Sequence, residues 1–290
     1  MNVISLLKDE TYISQLNIIG THDSATAYVD MENTARCQAK TIEEQLKIGV
    51  RLLDIRLSKS ADNFYLVHAL ADCYCDENKK KRMTFDEVLT LCKDFLNRNP
   101  QEFLILSVKQ DRGIMSKGFF PRFYDRYIKG DEAFWYLGGS VPTAGECKGK
   151  IVLMRRCKVK KAYKKKVDCG LDFSFWKDQA KNKMTALPVK LNDDTTALVQ
   201  DRYSLKKEEK WQCCKAYLDA AQTNKNALAV HFISTSAKTD GSLVGTAEYL
   251  NRKFMSYELK KGSGWILCDF VTEEIAEKIM MSNLEKSEKI

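Results

Sequence analysis

Apolar residues along the chain gather in short, nearly continuous runs bounded by polar turns, the pattern of strands buried on both faces. Eight runs stand out, at residues 15–20, 50–57, 64–67, 103–108, 151–154, 196–200, 227–233 and 265–270. Between several of them the apolar positions recur at helical spacing instead: 41–48, 84–97, part of 119–137, 205–221 and 246–259, with 273–281 after the last run. The plainest helix starts at Thr84, where a glutamate three positions on, Glu87, completes a capping box. Phe85, Val88, Leu89, Cys92, Phe95 and Leu96 then line one face, and Asn99 and Pro100 end it. Residues 97–102 therefore make a tight turn into the next strand. Ser204, with Lys207 and Glu208, is a weaker helix start.

Strands alternating with helices predict an α/β fold with a mainly parallel sheet. Two links break the alternation: residues 56–64 are too few for a helix, and 155–195 show no convincing one. Parallel strands need a dozen or more residues to return. The expected fold is therefore a distorted TIM barrel, eight mostly parallel strands inside an incomplete ring of outer helices. An open α/β sheet has the same periodicity. No repeat of fixed period is present, and four prolines and fourteen glycines form no linker. Residues 1–290 are expected to form one domain, with the polar stretch 157–190 a long connection inside it.

At 44% apolar the chain can bury a large core, which excludes disorder. Its net charge of +8 comes from local excess, KKKR at 79–82 and KVKKAYKKK at 158–166. Such runs are most often a solvated face; an anionic membrane is the next partner in order, and nucleic acid is not expected. Ten cysteines are too sparse for a disulfide scaffold in a chain this long, and they suggest a reducing compartment. Cys73 and Cys75 lack a second ligand pair, and Cys92 and Cys268 fall in apolar patterns. The N-terminal residues lack a long apolar segment, and no run of about 18 apolar residues occurs. The expected setting is cytoplasmic with peripheral membrane contact, or secreted if a signal has been removed.

Only three histidines are present, so proton exchange near neutral pH has few places to occur. Near the C-terminal end of each strand run stands a residue able to do chemistry: His22 and Asp23; Asp54 and Arg56; His68; Lys109; Arg155 and Arg156; Asp201 and Tyr203; His231; Asp269. In a barrel that rim carries the active site. Within VRLLDIRL the strand period puts Asp54 and Arg56 on one face, where they must pair or meet a ligand. Arg56 would offer a phosphate a fixed fork of donors. His22 and His68 suit in-line displacement at phosphorus, one as base and one as acid, with Asp23, Asp54 and Asp269 available to orient them. His231, flanked by Val230 and Phe232, is expected to be structural. No metal is expected, because the histidines lack ligand spacing and Arg56 and Lys109 accompany the acids.

Taken in order, QLNIIGTHDSATAY, TIEEQLKIGVRLLDIR, YLVHA, EFLILSVKQD, GKIVLMRR, LVQDRY and WILCDF resemble the catalytic X domain of phosphatidylinositol-specific phospholipase C in its small bacterial form, over residues 11 to 272. The resemblance implies a single catalytic barrel that cleaves phosphatidylinositol at a membrane surface to diacylglycerol and inositol 1,2-cyclic phosphate. It implies His22 as general base held by Asp269, and His68 as general acid oriented by Asp23. Arg56 would contact the phosphate, with Asp54 beside it, and Lys109, Arg156, Asp201 and Tyr203 would line the inositol pocket. Arg155 is the one-residue alternative to Arg156, and Tyr249 or Tyr257 the aromatic against the inositol ring. Calcium-dependent relatives have asparagine after the first histidine and acids in place of Arg56 and Lys109. This chain resembles the metal-independent branch, so no cofactor is expected, and a monomer is. The alternatives are a metal-dependent phosphodiesterase acting on another phospholipid and a non-catalytic phosphoinositide-binding module.

Overall fold

The computed structural model describes residues 4, 7–60, 63–113, 116–180, 185–236 and 242–284. Seven of the eight apolar runs lie side by side as parallel strands. They are β1 (Ile18–Thr21), β2 (Leu52–Lys59), β5 (Leu104–Arg112), β7 (Ile151–Arg155), β10 (Thr196–Gln200), β11 (Ala227–Ile233) and β12 (Trp265–Cys268), in the order β7, β5, β2, β1, β12, β11, β10. Around them stand α1 (Ile42–Ile48), α2 (Phe85–Arg98), α3 (Phe119–Tyr127), α4 (Lys207–Ala220), α5 (Leu243–Met255) and α6 (Glu273–Met281). The result is a curled, parallel-dominated sheet of the distorted TIM-barrel type.

The eighth run is a strand of another kind. β3 (Phe64–His68) pairs antiparallel with β2, Leu57 opposite Leu66 and Lys59 opposite Phe64. A link too short for a helix forces this: the chain turns back on itself, then makes β4 (Ala71–Asp72) against β3. The barrel position beyond β7 is shared by two short strands, β6 (Trp135–Tyr136) beside Ile151 and Val152, and β8 (Leu171–Asp172) beside Met154 and Arg155. Past β10 the sheet ends in an antiparallel strand, β9 (Leu187–Lys190). The long link 155–195 thus supplies strands instead of a helix, apart from a single turn at Lys161–Lys164. Among the described residues nothing hydrogen-bonds β8 to β9, so the barrel is open along that seam.

Helix boundaries follow local chemistry. Thr84 and Glu87 form the expected capping box on α2, and Thr41 with Glu44 forms another on α1. α5 starts three residues before its apolar repeat because Ser242 accepts from the Gly245 amide as N-cap. α4 starts after Lys206, and Ser204 does not cap it. No helix among the described residues is long and apolar enough to cross a membrane.

Two cores flank the sheet. Ile19, Leu53, Ile55, Leu104, Leu106, Leu153 and Ile266 face the helices, while their strand neighbours Ile18, Leu52, Ile105, Val152, Trp265 and Leu267 fill the barrel interior. Followed upward, five of the inward columns change from carbon to charge. They read Ile18, Gly20, His22 along β1; Leu52, Asp54, Arg56 along β2; Ile105, Ser107, Lys109 along β5; Met154, Arg156 along β7; and Trp265, Leu267, Asp269 along β12. Strand register sets these groups at matching heights, with Asp54 level with Ser107 and Arg56 with Lys109. Gly20 is small because the interior is full there: a Cβ would stand 2.9 Å from the Leu267 side chain and 3.1 Å from Leu52.

At the opposite end of β2, buried Arg51 donates from Nε to Glu102 Oε2 at 2.6 Å and from Nη1 to the Leu46 and Val50 carbonyls. Glu102→Ala would leave that guanidinium buried without its carboxylate. The expected loss is about 3–5 kcal/mol in urea unfolding, with most of it recovered when Arg51→Met is added. Equal stability of Glu102→Ala and parent would show that water replaces the carboxylate.

Candidate active site

The segment GTHDS folds down onto the end of β2. The Ser24 amide donates to the Asp54 carbonyl at 3.1 Å, and Ser24 Oγ accepts from the Asp54 amide at 2.8 Å. Gln38 ties the same segment to β12, donating from Nε2 to the carbonyls of His22 and Cys268, each at 2.9 Å. Held this way, Asp23 takes the left-handed backbone conformation, φ +44°, that asparagine and aspartate tolerate better than most residues.

His22 Nδ1 lies 2.7 Å from Asp269 Oδ1, and its Nε2 lies 3.1 Å from Asp23 Oδ2. His68 Nδ1 donates to the Ala35 carbonyl at 2.8 Å, which fixes its proton on that nitrogen because a carbonyl can only accept. The Nε2 of His68 lies 3.3 Å from the same Asp23 Oδ2. Both Nε2 atoms thus face one buried carboxylate oxygen, and neither approach is aligned as a hydrogen bond. The rings stand edge to face, centroids 6.1 Å apart.

From Asp23 the charges alternate outward. Arg56 Nε is 2.9 Å from Asp23 Oδ1 and 3.1 Å from Asp54 Oδ2, and Asp54 Oδ1 meets Arg156 Nη1 at 3.0 Å. Burial alone would raise the Asp54 carboxyl, but Arg56 and Arg156 outweigh it and hold the group well below the usual carboxylate range. Burial dominates at Asp201 and pushes that carboxyl up. Tyr203 is pushed up to about 12 by burial and by its hydrogen bond to Asp178. Above this network opens a cavity of about 290 Å³, into which His22, His68, Arg56, Lys109, Arg156, Asp201 and Tyr203 all project.

The structure therefore brings together all ten expected residues, seven lining the cavity, with Asp23, Asp54 and Asp269 buried behind them. Arg155 points the other way, into an ion pair with Asp172 and a hydrogen bond to the Cys169 carbonyl, so Arg156 is the arginine of the site. Tyr249 and Tyr257 do not line the cavity; the Tyr257 hydroxyl donates to Asp219 instead. His231 is structural, as expected. Its Nε2 donates to the Ser263 carbonyl, Tyr217 lies against the ring, and burial lowers its pKa to about 4. The sequence reading missed Asp111, which pairs with Lys109 and accepts from the Ala69 amide after His68. Two residues beyond Lys109 on a strand, it shares that face, and the period of two could have found it. Trp176, under the Arg156 guanidinium at 3.8 Å, and Gln38 carried no such signal.

Among the described residues three side-chain groups are close enough to hold an ion: His22, Cys37 and Asp269; Asp23, Cys37 and His68; and His22, Asp23 and Asp54. For a hard cation that needs several carboxylates they fit poorly. Arg56 already stands between Asp23 and Asp54, so their negative charge is compensated from within the protein.

The electrostatics of His22 give a pH signature. Burial would lower its pKa, but the Asp269 and Asp23 carboxylates outweigh that effect and raise it above 6.5. A raised value keeps the ring protonated to higher pH, so a reaction that uses the neutral ring gains rate only on the alkaline side of the ordinary imidazole value. Asp269→Asn removes the larger of the two charges. The rising limb of kcat/KM is expected to move to lower pH while the plateau falls, and an unmoved limb would show that His22 is not the titrating base.

Residues 8–125 match the PI-PLC X family model. The 1-phosphatidylinositol phosphodiesterase of Staphylococcus aureus (strain Newman) is 29% identical over 310 aligned residues, covering 97% of this chain and 94% of that protein. The enzyme of the same name from Listeria monocytogenes is 27% identical over 169 residues, 54% of this chain and 49% of that one. Among solved structures, a phosphatidylinositol-specific phospholipase C of S. aureus superposes with a TM-score of 0.81 at 26% identity, over 97% of each chain. The L. monocytogenes phospholipase C shares the fold, with a TM-score of 0.68 at 21% identity over 98% of each chain.

Proposed function

We propose that the protein, whose residues 8–125 match the PI-PLC X family model and which is similar along its length to a bacterial 1-phosphatidylinositol phosphodiesterase, cleaves phosphatidylinositol to diacylglycerol and inositol 1,2-cyclic phosphate. The observation that carries this reading is the pair of imidazoles that line one cavity with their Nε2 atoms on either side of Asp23 Oδ2, Arg56 beside them and Lys109 and Arg156 on the same cavity wall. Neutral His22, its Nδ1–H held by Asp269, presents a lone pair at Nε2. That nitrogen takes the proton of the inositol 2-hydroxyl, and the oxygen attacks phosphorus. His68 gives its Nε2 proton to the departing diacylglycerol oxygen, and the ring phosphate closes.

Arg56 counters the charge that builds on the phosphoryl oxygens, and Asp54 keeps its guanidinium in place. Asp23 lies beside the nitrogen of His68 that carries the transferable proton. Lys109, Arg156, Asp201 and Tyr203 surround the space left for the inositol hydroxyls. A lipid substrate also suits the rim. Leu70 is 81% exposed and follows cavity-lining Ala69; Val244 follows Leu243; and exposed Phe175 adjoins Trp176. In the lysine-rich run Lys164 is engaged by Asp172, which leaves its neighbours to meet anionic lipid.

Phosphatidylinositol in detergent micelles is expected to yield inositol 1,2-cyclic phosphate as the first phosphorus-NMR product, at an unchanged rate in EDTA. Activity lost in the chelator and restored by calcium would instead favour a metal-dependent phosphodiesterase. Binding of phosphoinositide without turnover would favour the non-catalytic module.

A further inference from the structure

The acid–base chemistry leaves the thiol of Cys37 unused. The residue is 1% exposed, with Sγ 3.8 Å from His68 Nδ1 at the cavity wall. One ligand atom from each of Asp23, Cys37 and His68 lies within 4.8 Å of the other two. Asp23 Oδ2 is buried, makes no aligned hydrogen bond, and stands 3.3 Å from His68 Nε2. Nitrogen, oxygen and sulfur donors around a tetrahedral zinc ion sit about 3.2–3.8 Å apart. The imidazole and carboxylate are therefore already spaced as two zinc ligands, and the thiol, which now stands beside the Nδ1 edge of the ring, has to turn toward Nε2 to complete the set.

We propose that Cys37, His68 and Asp23 form an inhibitory binding site for a thiophilic divalent cation of the zinc type. As the ion binds, the Cys37 S–H bond and the Nε2–H bond of protonated His68 break, both protons leave to solvent, and sulfur–metal and nitrogen–metal bonds form. His68 Nε2 and Asp23 Oδ2 supply the other protein ligands, with water in the remaining position. Arg56 stays on Asp23 Oδ1, so binding does not uncover its charge. The ion takes the nitrogen from which His68 would release its proton, and the acid is lost. Calcium and magnesium, which prefer oxygen donors, have no comparable claim on the site. The inhibitory consequence rests on the function proposed above, but the binding does not.

Cobalt(II) is the probe for binding. One equivalent is expected to give the parent protein a thiolate-to-cobalt charge-transfer absorption that zinc abolishes. The band is expected to disappear in Cys37→Ser and to persist in Cys75→Ser, which alters a thiol elsewhere. In micelle assays, stoichiometric zinc should suppress turnover and a chelator restore it. Cys37→Ser should turn over normally without metal, and its half-inhibition should need at least about tenfold more zinc. Cys37→Ala answers the same questions if the serine variant unfolds. A band of parental strength in the Cys37 variants, no band in the parent, or undiminished zinc inhibition of the variants would overturn the proposal. The cobalt measurement decides binding even if phosphatidylinositol proves not to be the substrate.

Discussion

Alanine at His22 or at His68 is expected to lower kcat/KM for phosphatidylinositol by about 10²–10⁴-fold, and the two variants should part when the leaving group is changed. His68 is placed as the acid. Its Nδ1 proton is committed to the Ala35 carbonyl, which leaves Nε2 as the nitrogen that can release one. A leaving group that departs without protonation, such as a nitrophenolate ester of inositol phosphate, removes the need for that acid. His68→Ala should then recover most of its activity, whereas His22→Ala should stay impaired because the 2-hydroxyl still has to lose its proton. The double variant should fall little below the worse single one, as expected for residues that act as a unit. Equal impairment of His68→Ala on both substrates would sink the assignment of acid and base.

Arg56→Ala is expected to cost about 10²–10³ in kcat. Lysine should restore little of it, because one ammonium cannot hold both Asp23 and Asp54 through a single nitrogen and still point a planar fork at phosphate. The same substitution should be visible in acid stability. A carboxyl held low in the folded state stabilises it at pH values above the unfolded pKa, and that contribution is lost as pH falls through the folded value. Arg56 is the larger of the two named attractions that hold Asp54 low. Without it the contribution should be smaller and be gone at a higher pH, and urea midpoints measured from neutral pH downward should show it. A parental acid profile in Arg56→Ala would mean that Arg156 alone suffices for Asp54.

Parity along strands explains how much of the site the sequence disclosed. Asp54 and Arg56 share a face with interior Leu52, so their convergence could be read from spacing alone, and the same rule separates Arg156 from Arg155 once Met154 is seen to point inward. Strand pairing was harder. β3 has the apolar content of a barrel strand, and only the short link before it told of its reversal. β8 is two residues long and β9 alternates buried with exposed positions around Pro188, so neither makes an apolar run. Gln38 could not be found, because a loop glutamine whose value lies in two distant carbonyls has no local pattern. Tyr249 and Tyr257 were misplaced because aromatic residues near a predicted helix say nothing about which side of it meets the substrate.

Height along the strands grades what this chain can tolerate. Changes at the top storey, at His22, His68 or Lys109, should disable the enzyme and leave it folded. Changes at the floor, at Leu52, Ile105 or Trp265, should unfold it. Asp54 stands on the landing between, anchoring two arginines from below, and is the position at which neither kind of change comes alone.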